Sequence, residues 1–259
     1  MKLGLIGTGR VAFHLSQALI QQGHQIIQVC GRNFEKTQQF ADSIQAVAHQ
    51  EIQSFQPCDC FMIAVSDISI ADVAKQLSQL FPESLILHTS GSTDLQVIQQ
   101  YQRRAGVFYP LQTFSFERAV NWAETPLFVE ANDPEDLAQL TDLANSLSKR
   151  VYQYSSKQRL TLHLAAVFAC NFSHYCYDMA KQIVDAEQVD FSLLYPLISE
   201  TANKVMTSEP KQSQTGPAMR GDQNILNRHK SLLLEANRPD LAEIYHLMSD
   251  GIFKRHHPD

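Results

Sequence analysis

The sequence lacks the features that mark several large classes of protein. Its 259 residues hold no Lys/Arg run and carry a formal net charge of −6, so the cationic surface that displaces counterions from nucleic acid is missing. Long hydrophobic runs are missing too. The most apolar stretch, residues 160–170, is too short and too interrupted to span a bilayer. The opening run Met1-Lys2-Leu3-Gly4-Leu5-Ile6-Gly7 has neither the length nor the small-residue cleavage site of a secretory signal. A cytoplasmic protein is expected, with no nucleic acid and no membrane among its partners. Cysteines are few and odd in number: Cys30, Cys58, Cys60, Cys170 and Cys176 fit reduced thiols rather than a disulfide framework. Cys58-Asp59-Cys60 has no second pair to complete a zinc site, and no metal is expected. There is no Walker A loop, no Gly-x-Ser-x-Gly and no metalloprotease helix. The Tyr-x-x-x-Lys of short-chain dehydrogenases is also absent, because Lys157 lies five residues after Tyr152 and three after Tyr154. No repeat or low-complexity segment is present.

What is present is a core-forming composition, 44% hydrophobic and 19% charged, with two kinds of periodicity. Up to residue 154 strand and helix patterns alternate. Strands are predicted at Lys2–Ile6, Gln25–Val29, Cys60–Val65, Leu85–His88, Gly106–Tyr109, Leu127–Glu130 and Val151–Tyr154. Helices are predicted at Arg10–Gln22, Phe34–Ser43, Ile70–Leu80 and Pro134–Ser148. Continuous apolar strands such as Cys60–Val65 are covered on both faces, which implies a mostly parallel sheet with right-handed crossovers. After Tyr154 no strand signal remains. A helix over Gln158–Asp185 is apolar nearly all round, so either its own chain or a partner subunit must bury it. Further helices follow at Phe191–Met206, Asp222–Ala236 and Pro239–Phe253. Residues Ser208–Gly221 read as a long loop and Lys254–Asp259 as a frayed tail. The expected organisation is an α/β nucleotide domain over residues 1–154 and an all-α substrate and dimerisation domain over 155–259.

Gly7-Thr8-Gly9-Arg10-Val11-Ala12 is a G-x-G-x-x-A turn between the first strand and the first helix, the context that makes this short motif informative. Gly7 permits the tight turn, Gly9 lets the backbone approach a pyrophosphate, and Ala12 keeps the helix close to the sheet. The helix N-terminus offers N–H groups to phosphate. An acid about twenty residues on would bind the ribose hydroxyls of NAD. The segment there, Gln28-Val29-Cys30-Gly31-Arg32-Asn33, has none. Arg32 and Asn33 suit a 2′-phosphate instead, so NADP is expected over NAD. Ligands of open α/β sheets lie beyond the carboxyl ends of the strands. Val65 and Ser66 are therefore expected beside the adenosine and ribose. His88, Ser90 and Tyr109 are expected beside the nicotinamide. Ser90-Gly91-Ser92 also reads as a helix N-cap turn before Asp94, and that alternative stands beside the first.

In the helical half, His163, Asn171 and His174 interrupt the apolar helix. In an ideal helix His163 and His174 point within about 20° of each other but lie about 16 Å apart, too far to share a metal, and Asn171 lies about 80° from His163. A histidine on an apolar face is more often structural than catalytic, and for His174 that reading is preferred. The turn-rich segment Thr215-Gly216-Pro217-Ala218-Met219-Arg220-Gly221-Asp222 presents Arg220 and Asp222 as candidate substrate ligands. It reads equally as a surface connector with a helix N-cap at Asp222.

Together, the glycine turn, His88-Thr89-Ser90-Gly91, Pro110-Leu111-Gln112-Thr113-Phe114, His163-Leu164-Ala165-Ala166 with Asn171-Phe172, and residues 215–222 resemble the oxidoreductases that join a Rossmann-like domain to the helical domain of unknown function 2520. That family is related to pyrroline-5-carboxylate reductases and β-hydroxyacid dehydrogenases. The resemblance covers nearly the whole chain. It implies a helical domain of the 6-phosphogluconate-dehydrogenase-like type, an NAD(P) site, a homodimer formed through the helical domain, and a cleft between the domains. It supplies no substrate. One departure matters: the family usually carries His-Pro where this chain has Tyr109-Pro110. If that histidine donates the proton there, Tyr109, His88 or His163 must do so here. The reading is an NADP-dependent oxidoreductase of a small carbonyl, imine or hydroxy-acid substrate, with His88, Tyr109, His163 and Asn171 as catalytic candidates. A non-catalytic NADP sensor and a structural dimer are the alternatives.

Overall fold

The computed structural model describes residues 1–258 and divides into two compact units, Met1–Asn171 and Phe172–Asp259. The first unit is built on an eight-stranded sheet. Its strands are β1 (Lys2–Ile6), β2 (Gln25–Cys30), β3 (Val47–His49), β4 (Cys60–Ile63), β5 (Leu85–His88), β6 (Ala105–Pro110), β7 (Leu127–Ala131) and β8 (Val151–Gln153), in the order β3-β2-β1-β4-β5-β6-β7-β8. Every neighbouring pair is parallel except β6 and β7. This is the Rossmann-type sheet expected from the alternating pattern. The short edge strand β3 is an addition to it: three residues carry too little periodicity to be seen in sequence, and pairing with β2 defines them.

Side chains alternate across the pleat and so fill two layers. Leu3, Leu5, Phe108, Leu127 and Val129 face α1 (Arg10–Gln21), α2 (Phe34–Ser43) and α5 (Pro134–Leu147). Ile63, Val107, Tyr109 and Phe128 face the other way, toward α3 (Ile70–Leu80) and α4 (Gln96–Gln99). Local chemistry sets the helix starts. Asn33 and Asp133 accept hydrogen bonds from the first-turn N–H groups of α2 and α5, and Ser155 with Gln158 forms a capping box on α6 (Ser156–Ala166).

The helix expected over residues 158–185 is interrupted. A π-helical turn, Val167–Phe172, lies between α6 and α7 (Ser173–Ala186). Its i→i+5 bonding changes the number of residues per turn, so ideal-helix angles from His163 to Asn171 and His174 do not hold. The second unit continues with α8 (Tyr195–Thr207), α9 (Pro210–Ser213), α10 (Pro217–Arg220), α11 (Gln223–Glu235) and α12 (Pro239–His256). The expected loop over 208–221 thus contains two single-turn helices, each started by a proline in its first turn. The tail expected to fray is helical to His256. Lys254, Arg255 and His256 in the last turn complement the helix dipole, and Lys254 pairs with Asp250 at 2.7 Å. Asp259 lies outside the described residues. Among the described residues no helix is long and apolar enough to cross a membrane, and no group of side chains is suited to a metal.

Candidate active site

Strands β2, β1, β4, β5 and β6 are parallel neighbours, so their carboxyl ends share one edge of the sheet. The chain order reverses at β1, with β2 and β3 on one side and β4 onward on the other. The crevice at such a switch point is where open α/β sheets take their ligands.

At that point Gly7 leaves β1 with φ +119°, and its N–H bonds Cys30 O at 2.8 Å. A Cβ there would fall 2.2 Å from Ala64 O, so no other residue fits. A Cβ on Gly9 would meet nothing within 4 Å; the space a phosphate would need is open. Helix α1 begins at Arg10 with no side-chain cap and no acid in its first turn, which leaves its first N–H groups and its positive dipole end available to an anion. Thr8 and Val11 flank the turn, half-buried. Arg32 is exposed just beyond β2. Asn33 beside it uses its Oδ1 to cap α2, accepting from Lys36 N at 2.9 Å. Val65 is half-buried after β4, and Ser66 Oγ lies 3.2 Å from Ser69 Oγ. The residues present fit a dinucleotide phosphate at the turn and a 2′-phosphate at Arg32. The segment after β6 folds back over α1: His14 Nε2 donates to Ser115 O at 2.7 Å, and Arg10 lies over the Phe116 ring, 6.0 Å from its centroid.

Two strand steps from β1, His88 ends β5 fully buried. Its Nδ1 accepts from Ser90 N at 3.2 Å, while Nε2 has no partner. Burial, aided by the positive charge of Arg159, pushes its pKa down to about 3. The ring is therefore neutral, with its proton on Nε2, and it shapes the Ser90 turn. Ser90 Oγ accepts from Ser92 N and Thr93 N at 3.1 and 3.0 Å, which closes the turn locally. It is not the helix N-cap that the second sequence reading expected, because α4 starts only at Gln96, with Leu95 at its N-cap and no side-chain cap. Ser92 Oγ in turn donates to Asp67 Oδ2.

Tyr109, on β6, is buried, and its phenol oxygen lies 3.2 Å from Nδ1 of His163 on α6. Gly91 sits between them. A Cβ at that position would come within 2.6 Å of Tyr109 Cζ and 2.7 Å of His163 Nδ1. Burial pushes the Tyr109 phenol up to about 12, against the opposing charge of Arg159. The phenol is thus protonated at neutral pH and hydrogen-bonded to a half-exposed histidine. The structure brings together four sequence candidates: His88, Ser90, Tyr109 and His163. Asn171 is exposed on the π-helical turn and has no hydrogen bond to any of them. Arg220 and Asp222 belong to the second unit. Arg220 is exposed at the end of α10, and Asp222 caps α11, its Oδ1 accepting from Ile225 N at 3.3 Å.

Sequence reasoning missed Arg159 and Glu130. Arg159 Nη1 donates to Glu130 Oε2, and the guanidinium reaches Ser90 O and Thr93 O. Sequence carried little signal for Arg159, which follows Ser156-Lys157-Gln158 in a polar helix start one turn before His163.

Two family profiles match the sequence: the coenzyme F420-dependent NADP oxidoreductases over residues 2–91, and the domain of unknown function 2520 over residues 125–252. A solved structure from Bacteroides fragilis, an inferred NADP oxidoreductase, is 37% identical over 98% of both chains, with a TM-score of 0.91. The fold is shared with the imine reductase of Myxococcus stipitatus in complex with NADP+ (17% identity, 99% and 96% of the two chains, TM-score 0.72). It is shared also with the 1-pyrroline-5-carboxylate reductase of Streptococcus pyogenes (16% identity, 99% and 98%, TM-score 0.62). No curated protein matches the sequence.

Proposed function

Because this chain belongs to the NADP oxidoreductases that join a Rossmann-type domain to the helical domain of unknown function 2520, we propose that it interconverts a small carbonyl or imine compound with its reduced form, Tyr109 and His163 handling the proton. The observation that carries this reading is the Tyr109–His163 hydrogen bond at the ligand-binding edge of the sheet. Bound NADPH supplies the hydride. The Gly7–Val11 turn holds the pyrophosphate through backbone N–H groups, and Arg32, with Asn33, holds the 2′-phosphate. Val65 and Ser66 border the ribose, and the turn after His88 borders the nicotinamide end. Tyr109 Oη donates its proton to the substrate oxygen or nitrogen, a stronger base than phenolate once reduced. His163, half-exposed, returns a proton to Tyr109 from solvent. His88 stays neutral and holds the turn.

The test measures NADPH oxidation against a panel of cyclic imines, 2-oxo acids and ketones. Tyr109→Phe is expected to lower kcat on any accepted substrate by about 10²–10⁴ while still binding NADPH. Undiminished turnover by Tyr109→Phe removes the proton role. Tight NADPH binding with no turnover of any compound points to a sensor instead.

The chain is also proposed to be a homodimer. Leu164 on α6 is 57% exposed and Phe168, within the π-helical turn, 62% exposed, with Leu160 and Tyr175 about half exposed. So many large apolar side chains on one helical stretch call for a cover.

A further inference from the structure

The largest fully buried side chain of the protein is a charged one, Arg159. Its side chain is 1% exposed, so it touches no substrate. Each of its three nitrogens nonetheless has a directed partner. Nε donates to Ser90 O at 3.2 Å, Nη2 donates to Thr93 O and to Ser156 Oγ, the latter at 3.2 Å, and Nη1 meets Glu130 Oε2. Glu130 stands on β7 on the same face as Phe128, which is paired with Tyr109. Its carboxylate also accepts from Ser156 N and Ser156 Oγ, both at 2.8 Å.

Generic stability does not explain this arrangement, because an apolar pair of similar volume serves a core as well or better. The planar guanidinium fork does something an apolar pair cannot. It holds two carbonyls of the Ser90–Thr93 turn while it is anchored to β7. Arg159 also precedes His163 by one helical turn, so the two share a face of α6. Gly91, inside the held turn, packs against both Tyr109 and His163.

We infer that Arg159, paired with Glu130, is a positioning residue for the Tyr109–His163 pair, pinning the Ser90–Thr93 turn to α6 so that phenol and imidazole stay within hydrogen-bonding reach. The inference rests on the proposed proton role of that pair. Its fixed positive charge also opposes the effect of burial on the Tyr109 phenol. Lysine in its place keeps a charge but cannot span both carbonyls and the carboxylate.

The test uses the full chain labelled with ¹⁵N and reads the Nδ1 resonance of His163, assigned by its loss in His163→Gln. Tyr109→Phe should shift that resonance by removing the bond. Arg159→Lys should shift it in the same direction while NADPH still binds. Should Arg159→Lys fail to fold, the charge-free pair Arg159→Met with Glu130→Met keeps the core filled and should show the same shift. A wild-type His163 resonance in the folded Arg159 variants, with a shift in Tyr109→Phe, makes Arg159 merely structural and overturns the inference. No shift in Tyr109→Phe itself means that the pair does not form, and the proton reading fails together with the inference built on it.

Discussion

Tyr109 and His163 meet across a glycine. The phenol oxygen and Nδ1 are 3.2 Å apart, and a Cβ on Gly91 would press on both rings, at 2.6 and 2.7 Å. Gly91→Ala is expected to cost about 1–3 kcal/mol of stability by overpacking. Displacing the pair by even an ångström should lower turnover about a hundredfold, with NADPH still bound. Urea midpoints, calorimetric binding and turnover on the same preparation check this. Wild-type turnover would show that the contact has no part in the reaction.

Cofactor choice should follow Arg32. No acid stands at the end of β2 to meet ribose hydroxyls, and Arg32 is exposed there. A charge-assisted hydrogen bond contributes about 1.5–3 kcal/mol, so NADPH should bind about 10- to 100-fold more tightly than NADH. Arg32→Ala should remove most of that difference. Titration of both nucleotides by calorimetry decides the point, and equal affinities in the wild type rule the assignment out.

His88 makes stability depend on pH. Its pKa falls from 6.5 to about 3, first by burial and then by the charge of Arg159. Between these values the unfolded chain binds a proton that the folded chain refuses. The contribution is therefore full above pH 6.5 and is lost as pH falls toward 3, by about 1.4 kcal/mol per unit. By pH 5 the loss from this group is about 2 kcal/mol. His88→Asn should shrink the difference in unfolding free energy between pH 7 and pH 5 by about that amount. An unchanged difference would mean that His88 titrates in the folded protein as it does in the unfolded chain.

Assembly can be checked at the exposed helix face. Leu164 and Phe168 are more than half exposed, and a charge at either is tolerated in a monomer but costly in a buried interface. The wild type is expected to scatter light as a dimer at micromolar concentration. Leu164→Glu with Phe168→Glu should give a folded monomer. A monomeric wild type would leave this face uncovered by a second copy.

The features legible in sequence are those set by neighbouring residues. The glycine turn after β1, the alternation of buried strands with amphipathic helices, and the helix starts after Asn33 and Asp133 follow from steric limits, side-chain period and capping, all of which act within a few residues. The expectation of NADP rests on equally local signals, since the missing acid and Arg32 lie just past one strand. Tertiary structure decided the rest. β3 exists because β2 offers a free edge, and the π-helical turn between α6 and α7 carries no periodicity that differs from a plain helix over so short a span. Tyr109 and His163 are 54 residues apart, and Arg159 reaches Ser90 O across 69. Sequence marks Tyr109 and His163 as polar residues in apolar settings, groups that must find partners, and leaves Arg159 among polar neighbours. Which partner each finds depends on the faces that the pleat and the helix turn toward each other, and that is known only once strands and helices have packed.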